Sequence, residues 1–238
     1  NRAAWAELWK GRIKINGAGN EIRDAADAAF FYLHSSAHQA MPCSIAPFGL
    51  SRRKEYSGHV FWDTETFMLP VLMLTDPPSA RAVLSYRSRC IPMARHNAAL
   101  NGQSGIQFPC QSGLYGNELA PFYAGGCGGT RELHFNLDVA FAFAQYAHAT
   151  DDDIFIRQEA WPVLQGIAEW ISSRIEKTAR GFEIRYLTGP DEGIDNIHNN
   201  SYTNIAAIVV LREARAMASR LGLRPPAIWN EIEKNIFL

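Results

Sequence analysis

Two clusters of side chains in this sequence have the types and spacing for acid–base chemistry on a neutral, hydroxyl-rich ligand. In "LTGPDEGIDNIHNNSYTN", residues 187–204, Gly189 and Pro190 enforce a turn, the carboxylates Asp191 and Glu192 stand side by side, and Asn196, His198, Asn199, Asn200, Tyr202, Thr203 and Asn204 follow. A structural turn needs one or two such side chains. A row of amides around adjacent carboxylates is costly to hold partly buried unless it binds something. Breaking a glycosidic bond requires a carboxylic acid of raised pKa to protonate the leaving oxygen, and a rigid, apolar-walled loop can supply one. Glu192 fits that role, with Asp191, Asn200 and Tyr202 as further ligand contacts.

The second cluster is "SGHVFWDTETF", residues 57–67, where Phe61, Trp62, Asp63 and Glu65 precede the apolar stretch Phe67 to Leu74. Trp62 would offer an aromatic platform to the C–H face of a sugar ring, and Asp63 would accept hydrogen bonds from its hydroxyls. The same residues also suit a helix start, with Asp63 or Thr64 as N-cap and Glu65 favoured by the helix dipole. A third stretch, residues 107–136, carries Glu118, Glu132 and His134 among glycines and aromatics. Sugar contacts or structural roles are expected of them, because two candidate ligands do not make a metal site.

Other chemistries are excluded by pattern. The glycines at 125, 126, 128 and 129 lack the Lys-Ser/Thr ending and preceding strand of a phosphate loop. The Asp/Asn spacing of 187–204 lacks the order and terminal Glu of an EF-hand. The sequon "NNS" at 199–201 is read as accidental. No metal and no cofactor are expected.

The elements that must position these clusters are mostly helical. Apolar residues recur at helical spacing over 20–37, with Asn20 as N-cap, and again over 79–100, where Pro92 would kink the middle. Similar signals occupy 133–149, 152–177, 202–220 and 225–235. Strand signals are limited to 181–187 and 11–17. Long, Gly-rich connectors at 38–58, 101–131 and 188–201 hold most of the clustered polar and aromatic residues, and long loops in a compact domain tend to be functional. The chain reads as all-α with small β excursions, its loops building a pocket at one end of a helical scaffold. Residues 1–19 read as a linker leading into a helical barrel, and 20–238 as the first part of that barrel.

Composition agrees. The 238 residues are 47% hydrophobic with a formal net charge of −1, so no basic field exists to attract nucleic acid or anionic lipid, and a small neutral ligand is the easier partner. No apolar run approaches bilayer length. Cys43, Cys90, Cys110 and Cys127 show no C-x-x-C pair and are expected to be free thiols in a reducing, cytoplasmic setting.

"GHVFWDTETFMLP" (58–70) and "GPDEGIDNIHNNSYTN" (189–204) together resemble glycoside hydrolase family 65, inverting α-glucoside hydrolases and phosphorylases, and "ELHFNLDVAFAFAQYAHATDDD" (132–153) resembles a helix of the same family. The resemblance implies an (α/α)₆ barrel, of which this chain would be about the first half, with the remaining half as its partner. It implies that Glu192 is the general acid and that Trp62 and Asp63 grip the glucosyl unit. The general base, or the phosphate-binding loop of a phosphorylase, would lie outside this chain. Gly193 and Ile194 depart from the family's usual Tyr-His, and Cys110 replaces an aromatic. "ELHFN" and "SSRIE" look closer to the hydrolytic branch, so hydrolysis is expected. The alternatives are phosphorolysis, with inorganic phosphate as co-substrate, and a sugar-binding remnant without catalysis.

Overall fold

The computed structural model describes residues 1–17, 19–50, 55–120, 131–191 and 194–238. They divide into two compact units, Asn1–Tyr86 and Arg87–Leu238.

The first unit opens with α1 (Arg2–Leu8) and a 3₁₀ turn, followed by α2 (Asn20–Ser36). Rings join them: Trp5 stacks on Phe31 at 5.0 Å and Trp9 on Phe30 at 5.1 Å. The N-cap of α2 is Gly19, and Asn20 is already helical, making no cap bond with its side chain as had been expected. Residues 12–17 form no strand. They run without pairing, tied by the Arg23 side chain to Ile15 O at 3.2 Å and by an Arg12–Asp27 ion pair. The apolar stretch expected to be helical forms a π turn, Thr64–Met68, and then α3 (Leu69–Thr75). Pro70 explains the widening: its ring clashes with the carbonyl four residues back, and the bond from Leu69 N reaches five residues back to Thr64 O.

His34, on α2, is buried with its ring 4.1 Å from Phe30. The Thr75 hydroxyl donates to Val71 O at 2.7 Å, so it accepts from His34 Nε2–H at 3.0 Å, leaving buried Nδ1 as an unprotonated atom with no partner. Burial lowers the His34 pKa below the ordinary 6.5, and Asp76 only partly opposes it. With the folded value below the unfolded one, the unfolded chain binds more protons under pH 6.5. His34 therefore costs nothing above that pH and destabilises as pH falls below it. Thermal melts against pH should show this loss, and His34→Gln should flatten it.

The second unit begins in the last turn of α4 (Pro77–Arg89), and α5 (Ile91–Leu100) follows. The single helix expected over 79–100 is two, divided at Cys90. Pro92, without an N–H, sits in the first turn of α5, where none is needed. The core is α6 (His134–Thr150), which is apolar on nearly every face and buried almost throughout, packed on α8 (Trp161–Arg174) and α9 (Ser201–Arg220). Before α8, the short α7 (Asp153–Phe155) runs into a second π turn, Ile156–Ala160, again just ahead of a proline, Pro162. Beyond Arg174 the helix yields to an antiparallel hairpin, β1 (Glu176–Thr178) and β2 (Gly181–Glu183), shorter than the strand expected over 181–187. The last helix, α10 (Ala227–Asn235), packs Trp229 and Ile232 inward against α9.

Residues 101–120 have little regular structure but are tightly bonded. Buried Asn136 acts as a surrogate strand for them, its amide donating to Ile106 O and accepting from Phe108 N, both at 2.9 Å. Asn97 donates to Gln107 O and Gly116 O, and Trp170 Nε1 to Gln103 Oε1. The segment crosses α8 where Gly105 meets Gly166, with Ile106 N bonded to Gly166 O at 3.0 Å.

Of the four cysteines expected to be free, Cys43 and Cys90 are, but Cys110 is disulfide-bonded. The sequence could not disclose this, since no short spacing marks the pair. Cys127 lies outside the described residues. Among the described residues, no helix is long and apolar enough to cross a membrane.

Candidate active site

In the second unit the amide-rich segment is built into the fold from both flanks. Leu187 and Ile197 exchange backbone bonds at 3.0 Å, Thr188 N donates to Arg131 O, and the Thr188 hydroxyl donates to Asp195 at 2.7 Å. Arg131 pairs with Asp195 at 3.1 Å and bonds Asn196 Oδ1. Together these hold the Asp195 carboxyl below its ordinary pKa, the Thr188 bond contributing most. Asp191 is exposed. Glu192, the expected acid, and Gly193 beside it lie outside the described residues.

The amides of this segment also make hydrogen bonds within the fold. Asn199 accepts from Ile184 N and donates to Glu183, Asn200 caps α9 by accepting from Thr203 N at 3.0 Å, and Asn204 donates to Phe237 O at 2.7 Å. Asn196 and Asn199 also have φ of 61° and 55°, a left-handed backbone that asparagine tolerates better than most residues. The row of amides is thus largely consumed in shaping the loop.

Glu118 is similarly committed, its carboxylate accepting from the backbone N–H of Cys110, Gln111, Leu119 and Ala120 at 2.8–3.1 Å. Glu132 is buried, forms a parallel bridge with Thr188, and brings Oε2 to 3.6 Å from the Cys110 sulfur. As a disulfide sulfur it has no proton to donate. Among the described residues, no group of three His, Cys, Asp or Glu side chains could hold a metal.

His134 and Tyr202 do come together, through a residue the sequence reading passed over. Asp138, one turn after His134 on α6, bonds His134 Nδ1 at 2.9 Å and accepts from the Tyr202 hydroxyl at 2.7 Å. The His134 and Tyr202 rings meet edge to face at 5.7 Å. Burial and then Asp138 push the Tyr202 pKa above its ordinary value, so the phenol keeps its proton. The signal was available: His and Asp four apart on one helix share a face.

In the first unit, Phe61 and Glu65 are buried and Trp62 and Asp63 half-buried. The Thr64 hydroxyl donates to Ile45 O at 2.6 Å, fixing the π turn. Trp62 leans on Phe67 at 5.5 Å. Neither Asp63 nor Thr64 is a side-chain cap: Asp63 is itself helical and makes no cap bond. Burial instead raises the Asp63 pKa, opposed only by its own backbone amide. A half-buried carboxylate with spare acceptor capacity suits hydroxyl donors from a ligand.

Kojibiose hydrolase of Flavobacterium johnsoniae is 36% identical over 235 residues, 98% of this chain and 34% of that protein. Kojibiose phosphorylase of Escherichia coli is 34% identical, covering 96% of this chain and 32% of its own length. Protein-glucosylgalactosylhydroxylysine glucosidase of Gallus gallus is also 34% identical, over 98% and 34%. The chain thus spans about a third of the length of these relatives. In fold it is similar to a solved structure of a candidate kojibiose phosphorylase from the human microbiome, with TM-score 0.78 and 21% identity over 88% of this chain and 32% of that one. The mainly helical fold is that of an (α/α)₆ barrel in part. Residues 27–236 match the family model described as the glycosyl hydrolase family 65 central catalytic domain, and the chain belongs to that family.

Proposed function

We propose that the enzyme to which this chain belongs cleaves an α-glucosidic bond with inversion, delivering the glucosyl unit to water. The observation that carries this reading is that both chemistry-bearing motifs, Phe-Trp-Asp at 61–63 and Pro-Asp-Glu at 190–192, fall inside the family match at 27–236. Glu192 protonates the glycosidic oxygen, while Trp62 and Asp63 hold the glucosyl ring. Asp191 and Glu192 are too close in sequence to straddle the bond as an inverting pair, which needs roughly 6.5–9.5 Å between carboxyl groups. The base that activates water is therefore a carboxylate other than Asp191.

Kojibiose, named in several relatives, is the first substrate to try. Glucose release from it in phosphate-free buffer supports hydrolysis. Strict dependence on phosphate, with β-glucose 1-phosphate as product, would move the proposal to phosphorolysis, and binding without turnover would leave a sugar-binding remnant.

Asp63→Asn tests the grip. It removes a charged acceptor, so kcat/KM should fall about 10- to 100-fold. Because burial already disfavours the Asp63 charge, the melting temperature should stay level or rise. A fall in melting temperature with unchanged kcat/KM would assign Asp63 to the fold.

A further inference from the structure

A carboxylate as enclosed as Asp138, 6% exposed, is costly to bury unless its oxygens are paired. One oxygen takes His134 Nδ1 and the other the Tyr202 hydroxyl. These bonds fix proton positions. An acceptor-only carboxylate at 2.9 Å requires the proton of a neutral His134 ring to sit on Nδ1, making Nε2 the unprotonated nitrogen. The Tyr202 proton is likewise committed to Asp138, so the phenol oxygen has only lone pairs left to offer. His134 is 1% exposed, whereas Tyr202 is 41% exposed at the start of α9, ten residues after Glu192. Its ring edge is braced by His134 and its hydroxyl by Asp138.

We propose that Asp138 is a positioning residue for substrate: it holds Tyr202, with His134 as a brace, as a fixed aromatic acceptor for a sugar hydroxyl. This rests on the glucoside-cleaving reading above. A rigid aromatic has little rotamer freedom to lose on binding, and its orientation as an acceptor selects ligands that bring O–H donors. Asp138 touches no ligand and acts only through Tyr202 and His134.

The test uses the full enzyme and the variants Tyr202→Phe, Asp138→Asn and their double. Each single variant should lower kcat/KM for the disaccharide about 10-fold or more. The double should be no worse than the poorer single, because the hydroxyl that Asp138 holds in place is then gone and the His134 brace has no acceptor left to aim. Wild-type kcat/KM in Tyr202→Phe, or additive losses in the double, would overturn the proposal. Tyr202→Phe, a single-atom deletion at a part-exposed residue, answers even if Asp138→Asn folds poorly. Nitrogen NMR of labelled histidine at mildly alkaline pH gives a readout independent of turnover. The parent should show His134 protonated at Nδ1, and Asp138→Asn should shift the proton toward Nε2; an unchanged tautomer would overturn the positioning role. A parent inactive on every α-glucoside, with this tautomer signature intact, would refute the glucoside reading instead.

Discussion

Glu192→Gln in the full enzyme is expected to reduce kcat on a glucosyl disaccharide about 100- to 10,000-fold, the range a general acid contributes. The glutamine keeps the size and can still donate a hydrogen bond, but it cannot transfer a proton to the departing oxygen. The size of the loss should therefore follow the leaving group. α-Glucosyl fluoride departs without protonation, so the variant should hydrolyse it far closer to the parental rate. KM should change little, because the proposed grip on glucose lies elsewhere, at Trp62 and Asp63. Equal loss on both substrates would point to damaged binding, and parental activity on the disaccharide would remove Glu192 from the mechanism. The two flanks of its segment are anchored by the Leu187–Ile197 pairing and by Thr188 to Arg131 and Asp195, so a single side-chain change should not unseat the loop.

Gly105→Ala should be the most damaging small substitution in the second unit. Gly105 has φ +78°, and a Cβ there would lie 2.2 Å from Gly166 O and 2.4 Å from Trp170 N, both backbone atoms of α8 that cannot swing away. Left-handed backbone costs an alanine about 1–2 kcal/mol, and forcing the segment off α8 adds about 1–3 kcal/mol. Together these predict a melting temperature lower by about 5–20 °C. Gly102 is the matched control: its φ is +71° but nothing lies within 4 Å of the added carbon. Gly102→Ala should lose only the backbone contribution, about 1–2 kcal/mol. Equal losses at the two positions would show that the close approach to α8 is not what demands glycine.

The long helices were legible because their apolar residues recur at helical spacing, as in α2, α6, α8 and α9. Their interruptions were legible only in part, because they depend on where a proline meets the turn before it. The kink expected at Pro92 is a full break between two helices, while Pro70 and Pro162 each follow a π turn that sequence spacing does not reveal. The asparagines of 196–204 were conspicuous, but spacing did not show that left-handed backbone, a helix cap and loop bonding account for much of their number. Asp138 looks incidental within an apolar helix: its spacing from His134 puts the two on one face, but the bond from Tyr202, 64 positions later, leaves no mark in the sequence. The Cys110 disulfide was invisible in the same way, since no C-x-x-C spacing marks it.

If the enzyme cleaves an α-glucoside with inversion, the glucosyl unit it releases to water is the β-anomer. Proton NMR of the full enzyme acting on kojibiose in phosphate-free buffer should show an early excess of β-glucose over the equilibrium ratio, because the non-reducing unit emerges as β-glucose while the reducing-end unit keeps the substrate's mixed anomers, and the excess should decay as mutarotation proceeds. An early excess of α-glucose over the equilibrium ratio, or no release with any α-glucosyl disaccharide, would rule out inverting hydrolysis.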